Sequence, residues 1–171
     1  MISEQRFLRD IKEISLLTVR HKPQETWSVK ESPGLGTYLE CQPTVVEIGD
    51  DGRQALRCAN ITYSQSYSVP ILWFNFYSPE GKLLLLDDFR DFLSKSAISS
   101  TQVLDGISQN EHPILGVAFY NLHPCKTADL MKELREPRNY VLSFLSILGS
   151  FVDLQAWPVE MFADEIIDGK S

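Results

Sequence analysis

Near the start of the chain, apolar residues recur at helical spacing. Large apolar side chains stand three or four positions apart at Phe7, Ile11, Ile14 and Leu17. Charged residues fill most of the intervening positions, which predicts an amphipathic helix over residues 3–20. Ser3 is a residue type that caps helix N-termini, and Pro23 ends the pattern because proline cannot continue a helix.

Between residues 27 and 86, short runs of β-branched and aromatic residues alternate with turn residues. Runs of this kind predict an antiparallel meander. Its expected strands cover residues 27–29, 37–42, 45–48, 54–67, 71–77 and 82–86. Residues 49–52 and 78–81 predict hairpin turns, because glycine accepts positive φ and proline presets the first corner of a turn. The run 71–77 is apolar on both alternating faces, so we expect a central strand covered on two sides.

A short helix is expected after this meander. The two aspartates at 87 and 88 can cap its start. Its buried side would consist of Phe89, Phe92 and Leu93. Residues 94–113 are then polar and rich in turn-forming residues, which predicts a loop or lid.

The last third of the chain indicates one extended segment followed by helices. Residues 114–122 are mostly apolar and end abruptly at His123. Thr127 is expected to cap a helix that Pro137 ends, and Asn139 is expected to cap a second one. The apolar face of that second helix would consist of Tyr140, Phe144, Ile147, Leu148 and Phe151.

The chain as a whole has the composition of one folded domain. It has 171 residues, 43% of them hydrophobic and 23% charged, which is enough to bury a single core. The order of elements predicts one α+β domain over residues 1–171, with an antiparallel sheet flanked by an N-terminal helix and C-terminal helices. Only the acidic tail after about residue 158 is expected to be loose.

The charge balance excludes several classes of partner. Asp and Glu number 23 against 16 Lys and Arg, a formal charge of −7, so the chain lacks the basic surface that binds nucleic acid or anionic lipid. The apolar stretches are too short to span a bilayer, and the charged N-terminus does not resemble a signal peptide. We therefore expect a cytoplasmic protein with no nucleic-acid partner and no membrane insertion.

The cysteines and histidines match no metal or disulfide pattern. The chain has three of each, with no CxxC pair and no recognised metal-ligand spacing. The sequence therefore predicts no metal site, no cofactor, and free thiols in a reducing compartment. Cys41 and Cys58 fall within expected strands, so we interpret them as core residues.

The tripeptide His123-Pro124-Cys125 is the strongest chemical candidate. Proline keeps the residue before it out of the helical region, so His123 and Cys125 can share a face of an extended segment. Lys126 and free N–H groups at the start of the following helix would favour a thiolate. The spacing alone leaves two other interpretations open: Cys125 could be a buried structural residue, and His123 could be a turn residue bonded to the backbone.

Three blocks of the sequence occur in the order seen in a known family. They are residues 63–74, which begin Tyr-Ser-Gln-Ser-Tyr; residues 111–127, which contain Glu-His-Pro-Ile-Leu-Gly and end His-Pro-Cys-Lys-Thr; and residues 139–149. Together they resemble the autophagy E2-like conjugating enzymes, over about residues 60–157. They are most similar to the branch that moves the ubiquitin-like modifier twelve onto autophagy protein five. The lipid-conjugating branch shares the His-Pro-Cys core but is usually longer, with a large insertion that is absent here.

This resemblance implies an E2-like fold and an acyl-transfer enzyme. Cys125 would receive the C-terminal glycyl group of the modifier from an E1-like activating enzyme and hold it as a thioester. A lysine of autophagy protein five would then attack that thioester. Ubiquitin E2 enzymes stabilise the oxyanion with the Asn of a His-Pro-Asn tripeptide, which residues 114–122 do not contain.

Four residues are candidates for that donor or for contacts with substrate. His123 ranks first, through its ring N–H. Asn121 shares a strand face with it, and Tyr63 and Tyr67 qualify if the sheet brings them near.

Three other functions stay open beside this transferase. One is a non-catalytic E2-like module that binds protein partners through its sheet and the 94–113 loop, and another is the E2-like enzyme of the lipid branch. The third is a cysteine hydrolase that pairs Cys125 with His112 or His123. The short separation of His123 and Cys125 is awkward for a proton-sharing pair and disfavours the hydrolase.

Overall fold

A six-stranded antiparallel sheet forms the centre of the protein. The computed structural model describes residues 1–95, 104–132, 137–154 and 157–163. The strands are β1 (Trp27–Ser32), β2 (Gly36–Glu47), β3 (Gln54–Ser64), β4 (Val69–Tyr77), β5 (Ile107–Glu111) and β6 (Ala118–Leu122). Their spatial order is β1-β2-β3-β4-β6-β5. The first four strands are the expected meander, and β6 lies beside β4.

Helices pack on one face of this sheet. They are α1 (Glu4–His21), α2 (Leu86–Ser94), α3 (Pro124–Met131), α4 (Tyr140–Leu148) and α5 (Glu160–Ala163), with a 3₁₀ turn over Gly149–Val152. Helices and sheet share one apolar core in which Phe7, Phe74 and Phe144 are fully buried. α1 packs against α4 and β1, and α3 packs against β4. In the described part of the chain, no helix has both the length and the apolar character needed to cross a bilayer.

The expected helix starts at Ser3 and Asn139 are confirmed. Each side chain accepts the backbone N–H of the residue three positions later, at 3.2 and 2.8 Å respectively. α1 also caps α4, because the fully buried Asp10 carboxylate accepts the Tyr140 N–H at 2.7 Å. The N-terminal and C-terminal helices are thereby joined by polar contacts as well as by the core.

Two strand expectations in the meander are wrong. Residues 37–42 and 45–48 belong to one strand, β2, whose register shifts at a bulge in its middle. Pro43 lies at this shift, and a proline has no N–H to donate to the ladder. Residues 82–86 form no strand, since only a single bridge joins Leu83 to β4 before α2 begins.

The expected loop over residues 94–113 contains the edge strand β5. Four of the five β5 side chains are exposed, so the polar sequence there does not show the alternation by which a half-buried strand is recognised. Residues 96–103, the centre of that expected loop, lie outside the described residues. The strand that precedes His123 therefore has a paired neighbour on each side.

The sheet face opposite the helices is partly covered by the turn between β5 and β6. His112 in this turn is fully buried, and its ring centroid lies 5.0 Å from that of Trp73 and 5.8 Å from that of Tyr38. The Trp73 indole N–H donates to the Thr62 hydroxyl at 2.8 Å. β4 is therefore buried on both faces, as its apolar run predicted.

The first residues of the acidic tail form a helix and are not loose. Met161 of α5 is 1% exposed and belongs to the core. Its burial removes apolar surface from water, which favours a docked position for this segment. Residues 164–171 lie outside the described residues.

Candidate active site

Cys125 lies at the junction of a strand and a helix. β6 ends at Leu122 and α3 begins at Pro124, so Cys125 is the second residue of the helix. His123 is the N-cap, with φ −54° and ψ 131°. Proline suits the first helical position because its φ is already near the helical value and its missing N–H would have no helical partner. The chain changes direction next to the cysteine, which remains half-buried.

The His123 imidazole contacts Cys125 twice. Its Nδ1 accepts the Cys125 backbone N–H at 3.2 Å and lies 2.7 Å from the Cys125 Sγ. An imidazole nitrogen that accepts a backbone N–H carries no proton, so we assign the ring proton to Nε2 and direct the thiol proton to Nδ1. The two side chains are on the same side, as expected, although they lie at a helix start and not on an extended segment. The expectation that their short separation is awkward for a proton-sharing pair is wrong, because the helix that begins at Pro124 turns the thiol back to the ring.

The start of α3 differs from its expected form. The N–H groups of Lys126 and Thr127 donate to the His123 carbonyl oxygen, at 2.9 and 3.5 Å, and are not free to face the thiol. Thr127, the expected cap, lies inside the helix, fully buried, with no hydrogen-bond partner for its hydroxyl. Histidine is outside the usual set of capping residues. Pro124 at the first helical position was the one local signal of the true start.

Tyr67 is brought to His123 by the turn between β3 and β4. In this turn the Tyr67 N–H donates to the Ser64 hydroxyl at 3.3 Å, and Ser68 has a left-handed φ of 54°. The Tyr67 ring meets the His123 ring edge-on, with centroids 5.5 Å apart and an interplanar angle of 83°. Since Tyr67 is 39% exposed, its ring forms a solvent-accessible aromatic surface beside His123.

Tyr63 lies on the helix side of the sheet. Its hydroxyl donates to the Ile2 carbonyl oxygen at 2.8 Å, and its ring packs against Phe7 at 5.6 Å. The Ile2 N–H in turn donates to the Ser68 carbonyl oxygen at 2.9 Å. Tyr63 therefore holds the N-terminal segment against the turn that carries Tyr67.

Asn121 is buried within the sheet, 5% exposed. Its side-chain oxygen accepts from the Ser108 hydroxyl at 3.2 Å and from the Asn110 amide at 3.1 Å. These contacts join β6 to β5 directly before His123. The structure thus brings Tyr67 into contact with His123, and it engages Asn121 and Tyr63 in contacts with neighbouring elements.

His112 is unsuited to act as a base for Cys125. Its Nδ1 accepts the N–H groups of Ile114 and Leu115, at 3.2 and 3.1 Å, and its Nε2 is buried without a partner. Burial lowers the pKa of His112 to about 4, so the ring is neutral at physiological pH. A hydrolase built on His112 and Cys125 is therefore disfavoured, because the low pKa makes this ring a weak base and both of its nitrogens are buried in the β5–β6 turn.

The two remaining cysteines are poor nucleophiles. Cys41 is 2% exposed, and burial raises its pKa to about 12. Cys58 is half-buried on the sheet face opposite the helices. Burial together with the charge of Glu40 raises its pKa. Because the thiolate is the reactive form, Cys125 is the thiol best placed for chemistry.

A solved structure has a similar fold. It is described as the crystal structure of the autophagic E2 Atg10, and it superposes with a TM-score of 0.58 over 88% of this chain and 97% of that chain, at 19% identity. The fold is therefore that of an E2-like protein, as expected. A family model described as "autophagocytosis associated protein, active-site domain" matches residues 49–158, and this chain belongs to that family.

Curated relatives agree with this assignment. The ubiquitin-like-conjugating enzyme ATG10 of Homo sapiens is 37% identical over 106 residues, which cover 56% of this chain and 47% of that protein. ATG10 of Arabidopsis thaliana is 34% identical over 116 residues, covering 60% and 50%. Autophagy-related protein 3 of Dictyostelium discoideum is 30% identical over 100 residues, covering 53% and 28%. The matched regions span about half the length of the ATG10 relatives.

Proposed function

We propose that this protein is an E2-like transferase that carries a ubiquitin-like autophagy modifier as a thioester on Cys125. The observation that carries the proposal is the contact of the half-buried Cys125 thiol with His123 Nδ1, at 2.7 Å, inside the matched active-site domain. A nucleophile in contact with a base is the arrangement that covalent acyl transfer needs.

The first step loads the modifier. As Cys125 Sγ attacks the glycyl carbonyl of the E1-bound thioester, its proton passes to His123 Nδ1. A new C–S bond forms, and the C–S bond to the E1 cysteine breaks as that thiolate leaves. The bond that breaks and the bond that forms are both thioester bonds, so the step needs no further energy source.

The second step delivers the modifier to a lysine. The lysine amine attacks the Cys125 thioester, a C–N isopeptide bond forms as the C–S bond breaks, and the amine releases a proton to solvent. Cys125 leaves as a thiolate that takes back the proton held by His123 Nδ1. Each step passes through an oxyanion, for which one well-placed donor contributes about 3 kcal/mol. Once His123 Nδ1 has taken the thiol proton, its N–H lies beside Sγ and the reacting carbon, so we assign the donor role to this N–H.

The other expected site residues have supporting roles in this proposal. Tyr67 holds the His123 ring and offers an exposed aromatic wall to the substrate. Asn121 fixes the end of β6, from which His123 projects, through its contacts with β5. Tyr63 anchors the turn that carries Tyr67 through Ile2.

For partners, we propose modifier twelve, its E1-like activating enzyme, and a lysine of autophagy protein five as acceptor, in the cytoplasm. The names of the ATG10 relatives support a ubiquitin-like modifier as the group carried, and the resemblance of the three sequence blocks supports this particular modifier and acceptor. A match to an autophagy-related protein 3 at 30% identity favours the lipid-conjugating branch as the second candidate. In that case the acceptor would be the amine of phosphatidylethanolamine.

The decisive experiment incubates the purified protein with the E1-like enzyme, ATP and modifier twelve, and resolves the products on a non-reducing gel. We expect an adduct that reductant removes, a reductant-resistant oxyester with Cys125→Ser, and a normal adduct with the matched control Cys58→Ser. The loaded protein is then given autophagy protein five or vesicles that contain phosphatidylethanolamine. The same reactions are run with the modifier of the lipid-conjugating branch. Absence of a reducible adduct with either modifier would refute the transferase and favour a non-catalytic binding module.

A further inference from the structure

A cleft with both polar and apolar lining residues lies beside the helix that carries Cys125. It has a volume of about 310 Å³ and lies between the N-terminal turns of α1, the end of α3 and the start of α4. The side chains that matter are Arg6 on α1, Lys132 just after α3, and Tyr140 on α4, which all line it. The reaction described above uses none of them.

Two donors at this cleft lack acceptors. Tyr140 is 4% exposed, and its hydroxyl has no hydrogen-bond partner. The Arg6 Nε is also buried without a hydrogen bond, and its nearest carboxylate oxygen, on Asp10, is 3.9 Å away. A buried polar group without a partner is costly, so two at one cleft point to a ligand rich in acceptor atoms.

The charges at the cleft favour an anionic ligand. The Arg6 side chain is 30% exposed and its Nη2 donates to the Pro137 carbonyl oxygen at 2.5 Å. The Lys132 ammonium lies at the rim, where it also pairs with Asp129. Burial raises the pKa of Tyr140, against a smaller opposite effect of the Arg6 charge, so its hydroxyl stays a neutral donor. Among the residues that the structure describes, Asp10 is the acidic group paired with Arg6, and it is already bonded to Arg9 and to the Tyr140 N–H.

The cleft lies close enough to Cys125 to contact the acceptor protein whose lysine attacks the thioester. Cys125 begins α3 and Lys132 follows its end, so the two are about 10 Å apart along the helix axis at 1.5 Å per residue. An acceptor lysine reaches the thioester with a side chain about 6 Å long. The acceptor surface that presents this lysine therefore passes close to Cys125, and the wall at the end of α3 lies within reach of side chains next to that lysine.

We infer that the cleft binds a carboxylate side chain of the acceptor protein, next to the lysine that attacks the Cys125 thioester. This inference rests on the proposed transferase function. The incoming carboxylate accepts from the Tyr140 hydroxyl and from Arg6, whose partly exposed side chain rotates to admit it, while Lys132 adds attraction at the rim. Specificity for the acceptor protein then comes from a site separate from the reacting atoms.

The test compares two amines in single-turnover discharge of the purified Cys125 thioester. One is autophagy protein five at increasing concentration, and the other is free L-lysine, which has no protein surface. For Tyr140→Phe we expect the half-saturating concentration of the protein acceptor to rise about tenfold, since a hydrogen bond to a charged group is lost, and the preference for protein over free lysine to fall by the same factor. The midpoint of thermal unfolding should not decrease, because the variant removes only an unpaired hydroxyl.

Matched variants complete this experiment. Arg6→Gln should raise the half-saturating concentration of the acceptor as Tyr140→Phe does. Lys12→Gln, at an exposed position further along the same helix and outside the cleft, should leave it at the wild-type value. Unchanged acceptor saturation in Tyr140→Phe, an equal loss toward free lysine, or a loss confined to loading of the modifier would each overturn the inference. Failure of the wild type to form the thioester would instead refute the proposed function itself.

Discussion

The Nδ1 atom of His123 contacts both the Sγ and the backbone N–H of Cys125. One imidazole nitrogen therefore caps helix α3 and accepts the thiol proton. This double contact is possible because Pro124 starts the helix between the two residues and turns Cys125 back toward the ring. It also means that any substitution of His123 acts on stability and on chemistry together.

His123→Ala removes both contacts. Loss of the cap should lower the free energy of unfolding by about 1 kcal/mol, and loss of the proton acceptor should slow thioester formation about a hundredfold. Urea unfolding and single-turnover loading measure the two effects. His123→Asn keeps a good cap but has no basic nitrogen, so it should restore stability without restoring the rate. Full recovery of the loading rate in His123→Asn would contradict the role as proton acceptor.

The three thiols should differ in reactivity. At pH 8 iodoacetamide should modify Cys125 first, because it is half-buried and in contact with His123. Cys58 should react more slowly, since burial raises its pKa. Cys41, with a pKa of about 12, should stay unmodified until the protein unfolds. Peptide mapping by mass spectrometry follows the order, with urea-unfolded protein as the control, and faster labelling of Cys58 than of Cys125 would contradict it.

Stability should fall with mild acid because of His112. Its pKa is about 4 in the folded protein and about 6.5 when unfolded, so only the unfolded chain takes up a proton between these values. The free energy of unfolding should therefore drop as pH falls through this range, by about 2 kcal/mol between pH 7 and pH 5. Urea unfolding at the two pH values measures the drop. In His112→Gln the difference between pH 7 and pH 5 should shrink by that amount, and an unchanged difference would count against the buried neutral ring.

Asp10 should matter for stability and little for chemistry. Its buried carboxylate accepts the Tyr140 N–H at 2.7 Å and an Arg9 N–H at 2.9 Å. Asp10→Ala leaves the Tyr140 N–H without its partner, so we expect a loss of about 3 kcal/mol in the free energy of unfolding. Asp10→Asn keeps an acceptor and should lose less. Glu4→Ala, at an exposed position of the same helix, should change the unfolding free energy by less than about 0.5 kcal/mol.

Local patterns were most informative where one segment determines its own structure. Helix α1 followed from the spacing of its apolar residues, and the start of α4 followed from Asn139, because periodicity and capping act over three or four residues. The start of α3 was misplaced at Thr127, since His123 is an unusual cap. Strand β5 was missed because an edge strand exposes most of its side chains. Its amino-acid composition also does not indicate that it pairs with β6.

The sequence by itself determined which thiol is the candidate nucleophile, since Cys125 is set apart by the residues on either side of it and by three blocks in a known order. Only the tertiary structure decided which other groups share the site. Tyr67 and His123 meet because β4 and β6 are neighbours in the sheet, and His112 loses its basicity because Trp73 and Tyr38 cover it from other strands. Such contacts join residues far apart in the chain, and they depend on how the sheet assembles and what it buries, which no short segment of sequence encodes.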